Sequence, residues 1–175
     1  MKIGTFSKTG EKILEFAKQH PEYNWVFKPH PNLKNQLSID KNYGLDFVNK
    51  YYSEWANLGE LHEQGNYFDL FINSDLMITD SSSFLLEYMP TGKPIFRLER
   101  KDSVPLTSFG EELRKHLYKI SDFSSFEKTF EKVIVNKNDA LKEKRLSFIN
   151  KILGNMSCSE LIIKNLISIL EMRHN

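Results

Sequence analysis

Leu76-Met77-Ile78-Thr79-Asp80-Ser81-Ser82-Ser83-Phe84-Leu85-Leu86-Glu87-Tyr88 is the stretch that decides how this chain is read. A short apolar run stops at Thr79-Asp80, three serines follow, and an apolar run at helical spacing begins. That is the pattern of a buried strand turning directly into a helix. Backbone N–H groups at a helix start have no partner within the helix, and here they aim past the end of the strand. Serines add hydroxyl donors without bulk, so residues 81–83 form a candidate anion site, with phosphate the usual anion. The competing reading is plain capping, since Asp80 and Ser81 are both favoured cap residues.

Working outward, the flanking segments alternate between strand and helix. Ile13, Leu14, Phe16 and Ala17 give residues 11–19 one apolar face and predict a helix started by Thr9 or Gly10 and stopped by Pro21. Residues 23–28 are aromatic and β-branched and predict a strand. It leads into Pro29-His30-Pro31, where each residue before a proline is held extended. His30 is thereby presented just past a strand's C-terminal end. Residues 32–40 read as loop, 45–55 as helix, 57–62 as a short strand and 67–73 as a short helix. After the central strand at 76–79 and the helix at 82–89, Pro90 and Gly92 punctuate, and Ile95-Phe96-Arg97-Leu98 predicts another strand.

From Phe109 onward the pattern is helical: residues 109–118, 123–135, 139–153 and 157–173, with Asp122, Asn138 and Ser157 as caps. The last segment carries apolar residues nearly all round, so it is expected to bury two faces. The fold expected is α/β, a Rossmann-like doubly wound parallel sheet forming one domain over residues 1–175, with a helical tail over about 109–175. Ligands of such sheets bind beyond the carboxyl ends of the strands. His30 and residues 79–83 are both expected on that edge.

Composition narrows the function. The chain has 175 residues and a formal net charge of +1, which gives no global field for nucleic acid. Its single cysteine, Cys158, excludes an intramolecular disulfide framework and fits a reducing, cytoplasmic compartment. The N-terminal residues have no apolar signal-peptide core, and no run is long enough to span a membrane. The histidines are scattered without metal-ligand spacing, so no metal is expected. A strand would ordinarily precede the first helix of an α/β domain, so the sequence is expected to be one part of a longer protein.

The candidate chemistry has three elements. Ser81, Ser82 and Ser83 offer hydroxyls and helix-start amides to a diphosphate. Glu87 lies one helical turn beyond Ser83, among Leu85, Leu86, Tyr88 and Met89, where a carboxylate needs a partner such as a ribose diol. The imidazole of His30 can act as an acid or base, or donate to a phosphate oxygen. The plainer alternatives are a solvent-facing Glu87 and a His30 that only packs between prolines. Lys28 and Lys93 add positive charge, and Asp80 is expected to anchor the loop.

These residues carry a family resemblance. Phe27-Lys28-Pro29-His30-Pro31, the run from Ser74-Asp75 through Tyr88, and Gly92-Lys93-Pro94 resemble the CDP-glycerol glycerophosphotransferase family. Its members are the teichoic-acid primases and polymerases and related capsule enzymes. The likeness covers roughly residues 5–172. It implies the C-terminal, donor-binding half of a GT-B architecture and transfer of glycerol or ribitol phosphate from a CDP-activated donor to a polymer. Carried over by position, His30 matches the family's motif histidine and is the catalytic candidate. Ser82 and Ser83 match the serines that meet the diphosphate, and Glu87 falls where GT-B proteins often hold the ribose. Lys28, Pro31, Thr79 and Asp80 are supporting residues. Ser81 departs from the family, which often has an aromatic residue there.

The resemblance further implies no cofactor beyond the substrate nucleotide CDP-glycerol and no nucleic-acid partner. The polymer acceptor would be held by an N-terminal domain with its own catalytic histidine, so nucleotide binding without turnover is expected of this segment alone. Association with the inner face of the plasma membrane and self-association through the final helix are compatible with that reading. Two alternatives stand beside it: a GT-B glycosyltransferase domain using a UDP- or CMP-sugar, and a non-catalytic interaction module on the same scaffold.

Overall fold

The computed structural model describes residues 4–100 and 105–154, together with Ile163 and Ile167. The final helix expected at 157–173 therefore lies outside the described residues, except for those two isoleucines, which are exposed. The rest is a mixed α/β arrangement with parallel strands in two small sheets.

The first helix, α1 (Phe6–Gln19), begins five residues earlier than expected. Gly10 does not break it, because Phe6 is anchored edge-on against Tyr43 and Tyr51. Strand β1 (Val26–Phe27) is shorter than the aromatic run that predicts it. Residues 32–40 are not a loop: Leu33–Ile39 forms α2. Leu33 and Leu37 sit one turn apart, and Leu37 is fully buried against α3 (Gly44–Leu58), so packing overrides the polar composition. Strand β2 (Glu60–Leu61) pairs in parallel with β1, Val26 opposite Glu60.

The second sheet contains the central strand. Helix α4 (Phe68–Asn73) precedes β3 (Met77–Thr79), which turns into α5 (Ser83–Tyr88). A 3₁₀ turn, Met89–Thr91, continues that helix through Pro90. Strand β4 (Ile95–Leu98) then pairs in parallel with β3, placing Thr79 beside Arg97. Helix α6 (Ser108–Arg114) is followed by a strand that was not expected, β5 (Tyr118–Ile120), in parallel with β4; its first residue, Tyr118, ends the helix expected at 109–118. Phe109, Leu113 and Leu117 repeat every four residues and carry a helical period up to the strand, which conceals it. The region beyond 109 is thus not purely a helical tail.

Helix α7 (Phe123–Phe130) opens on the expected Asp122 cap, with a reciprocal bond from Ser125, and runs on as a π-helical turn over Glu131–Val135. Helix α8 (Lys142–Leu153) starts three residues later than expected and is not capped by Asn138. The Asp139 carboxylate is engaged instead by Arg145 and by the Tyr118 hydroxyl.

Alternation along the strands sends side chains to both faces. Ile78, Phe96, Leu98 and Ile120 pack with Phe16 of α1 and with Phe126 and Phe130 of α7. Met77 and Ile95 face Phe71, Leu85, Tyr88, Leu113 and Phe148 from α4, α5, α6 and α8. The β1–β2 pair is covered by α1 and α3 through Leu14, Ala17, Tyr52 and Trp55.

One turn has a specific backbone requirement. Gly92 has φ +70° and donates its N–H to the Met89 carbonyl, and a Cβ there would lie 2.8 Å from Leu146 Cδ2. Gly92→Ala should lower stability by about 1–2 kcal/mol, from the left-handed conformation alone. The urea midpoint measures it; an unchanged midpoint would mean that the turn relaxes at no cost.

Candidate functional site

The chain leaves β3 through a side-chain-built turn. The Ser81 N–H donates to Thr79 Oγ1 at 3.0 Å, which folds residues 79–81 back toward α5. None of the serine hydroxyls caps α5. Ser82 stands at the cap position with helical backbone angles and no capping bond, and the Ser81 and Ser83 hydroxyls bond each other at 2.9 Å. Plain capping therefore does not account for the three serines.

Asp80 faces the start of α1. Its Oδ2 accepts from the Thr5 N–H at 2.8 Å and from Thr5 Oγ1 at 3.1 Å. Gly4 has φ +64°, and any Cβ on it would fall 2.3 Å from that oxygen, so the close approach depends on glycine. Asp80 thus ties the loop after β3 to the first helix, rather than bonding to the loop's own backbone.

Arg97, which the sequence reading did not single out, completes this corner. From β4 its Nη2 donates to Ser82 Oγ at 3.3 Å. Its Nη1 is buried and makes no hydrogen bond to any described residue. Burial pulls the guanidinium pKa down, opposed by the charges of Asp80 and Glu99. The only trace in the sequence was a charged residue inside an otherwise apolar strand.

A second cluster forms around β1's C-terminal end. Lys28 Nζ sits 5.2 Å from the centre of the Tyr67 ring and 5.9 Å from that of Phe84. The Tyr67 hydroxyl donates to Glu87 Oε2 at 2.7 Å, and that bond is the main reason its own pKa is raised. Glu87 is exposed rather than set among apolar neighbours, so the partner it was expected to need is a tyrosine at its side. Lys93 turns away from this group and donates to the Ile72 carbonyl of α4.

His30 lies two residues beyond Lys28, exposed, after a buried Pro29 and before an exposed Pro31. The Asn32 N–H donates to His30 Nδ1 at 3.1 Å. A nitrogen that accepts carries no proton, so the neutral ring holds its proton on Nε2, the remaining nitrogen.

The structure brings Lys28, Tyr67, Phe84 and Glu87 together, and separately Thr5, Asp80, Ser82 and Arg97. Both groups meet on the first turn of α5, where Phe84 follows Ser83. His30 follows Lys28 by two residues, and no hydrogen bond joins it to the serines among the described residues. A groove of about 710 Å³ elsewhere, lined by Phe16, His20, Phe130, Glu131 and Val135, contains none of these residues. Among the described residues, no group of three His, Cys, Asp or Glu side chains could hold a metal, and no helix is long and apolar enough to cross a membrane.

Both corners fall within a segment that known proteins share. A family model described as CDP-Glycerol:Poly(glycerophosphate) glycerophosphotransferase matches residues 4–100. The minor teichoic acid biosynthesis protein GgaB of Bacillus subtilis (strain 168) is 29% identical over 116 residues. That alignment covers 61% of this chain and 11% of the length of GgaB. No solved structure matches the chain.

Proposed function

This chain belongs to the CDP-glycerol:poly(glycerophosphate) glycerophosphotransferase family, and from that premise we propose that it carries the donor-nucleotide site of such an enzyme in teichoic-acid synthesis. The fold fits a Rossmann-like, doubly wound half of a GT-B protein, with the site beyond the strands' carboxyl ends. The observation that carries the reading is the turn after β3, where three serines that do not cap α5 stand beside a half-buried arginine.

In this mechanism the diphosphate of CDP-glycerol rests against Ser81, Ser82, Ser83 and the first amides of α5, with Arg97 supplying the opposing charge. An acceptor hydroxyl attacks the phosphorus that bears glycerol. The bond from that phosphorus to the bridging oxygen breaks, and CMP leaves with the electron pair. Charge developing on CMP is stabilised by the serine donors and Arg97, which are in place before the reaction. His30 presents Nε2–H toward solvent and can donate to a phosphate oxygen or to the departing group. Glu87, steadied by Tyr67, accepts from the ribose hydroxyls. The base that takes the acceptor's proton, and the polymer acceptor itself, lie outside the described residues. We place the reaction at the inner membrane face, where the growing polymer is reached.

Calorimetry with CDP-glycerol, CDP and CMP tests the proposal. CDP-glycerol and CDP should bind, and UDP-glucose should bind more weakly. Ser82→Ala and His30→Ala should each weaken CDP-glycerol binding about tenfold, the effect of losing one hydrogen bond to a charged group. No heat for any cytidine nucleotide at millimolar concentration would sink the reading. A preference for UDP-glucose would instead turn it toward sugar transfer.

A further inference from the structure

Strand alternation divides the residues of the first sheet between two faces. Phe27 and Leu61 stand opposite each other and pack in the cluster that holds Tyr52 and Trp55 of α3. Glu60 and His62 lie on the other face, where His62 Nδ1 stands 3.0 Å from Glu60 Oε1. Val26 pairs with Glu60, so Val26 and Lys28 share that second face from β1. The His62 N–H donates to the Phe27 carbonyl at 2.9 Å. That bond carries the pairing one residue past β2 and sets His62 beside Lys28.

An ionised carboxylate only accepts, so the neutral ring of His62 holds its proton on Nδ1 and leaves Nε2 a bare acceptor. The His62 side chain is 15% exposed, and its Nε2 is buried and bonds no described residue. A buried acceptor without a donor carries its full desolvation cost, which a ligand donor would relieve. Gly65 runs along the same ring edge: a Cβ on it would stand 4.0 Å from both Nε2 and Cε1. Residues 63–66 are all exposed, so a single layer of backbone separates this nitrogen from solvent.

The contacts leading to His62 run in a definite order. Glu87 is bonded by Tyr67, Lys28 Nζ sits 5.2 Å from the centre of the Tyr67 ring, and Lys28 neighbours His62. A ribose held on Glu87 would direct its base toward Lys28, with His62 facing the part farthest from the sugar. In a pyrimidine that part is C4, which bears an amino donor in cytosine and a carbonyl acceptor in uracil. We propose that His62 selects cytosine over uracil in the donor nucleotide, its Nε2 accepting from the C4 amino group. This rests on the reading of Glu87 as the ribose partner in the proposed function. Glu60 is the positioning residue, because it holds the proton on Nδ1 and so keeps Nε2 free of one. The turn at 63–66 steps aside from Nε2 as the base enters. Uracil would set a carbonyl oxygen against the same bare nitrogen, and neither has a proton to share. Lys28 is a donor and suits the C2 carbonyl that both bases carry, so it does not discriminate.

The test is calorimetry of CDP and of UDP on the native chain, on His62→Phe and on Glu60→Leu. The native protein should prefer CDP by about 100-fold, since UDP leaves the buried acceptor unpaired. His62→Phe keeps a planar ring without the acceptor, so CDP should bind about tenfold more weakly and UDP no worse. Glu60→Leu, at an exposed position, lets the ring carry its proton on either nitrogen. CDP should then weaken and UDP tighten, whereas a structural defect would weaken both alike. If His62→Phe does not fold, Glu60→Leu decides alone. An unchanged ratio of CDP to UDP affinity in the folded variants, an equal loss of both nucleotides, or a native preference for UDP would overturn the role of His62. The first two results would leave the donor site standing, whereas a native protein that binds neither nucleotide would overturn both readings.

Discussion

Arg145→Met will lower the stability of this protein by about 3–5 kcal/mol, the loss expected when one partner of a buried ion pair is removed. Arg145 is 0% exposed. Its Nε donates to the Gly92 carbonyl at 3.0 Å, and its Nη2 pairs with the Asp139 carboxylate. The other oxygen of Asp139 accepts from the Tyr118 hydroxyl at 2.8 Å, and the Leu141 N–H reaches both Tyr118 and Asp139. One guanidinium on α8 therefore ties together the turn before β4, the start of β5 and the entry of its own helix. The Tyr118 pKa is pushed up to about 12, first by burial and then by its bond to Asp139. Methionine fills the volume but leaves the carboxylate, the tyrosine and the Gly92 carbonyl facing an apolar side chain. Urea unfolding measures the loss, and the melting temperature should fall on the order of 10 °C for a chain of this size. Arg145→Met with Asp139→Leu should recover much of it, because removing both charges ends the unpaired burial. If the single variant cost less than about 1 kcal/mol, the network would be a surface feature in solution.

How much of this was legible in the sequence depended on where the physical signal lay. β4 was readable residue for residue, because Pro94 and the apolar run set off its ends. Asp122 announced its helix through a capping preference that acts within four residues. α2 was missed because its composition is polar, and the burial of Leu37 against α3 is a tertiary fact. β5 was missed because Leu113 and Leu117 carry a helical period right up to it. The described strands fall into two short sheets where one was expected, because no local feature of the sequence marks where a sheet divides. For the candidate site, the positions of the serines and His30 just after strands were legible in the sequence. Arg97 and Tyr67 were not: each acts by reaching Ser82 or Glu87 from another element, and such contacts have no local signature.

Arg97→Met should separate binding from stability, and its effect on the ligand should be the largest of any single substitution at the site. A half-buried guanidinium with one nitrogen unpartnered among the described residues and one long bond to a hydroxyl contributes little to folding. Burial lowers its pKa, so the protein bears a desolvation cost for keeping the charge. Methionine retains the bulk and removes that cost, so stability should change by less than about 1 kcal/mol in either direction. The diphosphate would then lose its cationic partner in this corner. A hydrogen bond to a charged group is worth about 1.5–3 kcal/mol, so CDP-glycerol affinity should fall on the order of 100-fold. Arg97→Lys keeps the charge without the planar fork and should recover only part of the loss. Salt supplies an independent readout: affinity should weaken with ionic strength in the native protein and much less in Arg97→Met. An Arg97→Met protein that binds CDP-glycerol as well as the native one would remove Arg97 from the site. The serines and the amides of α5 would then have to hold the diphosphate without it.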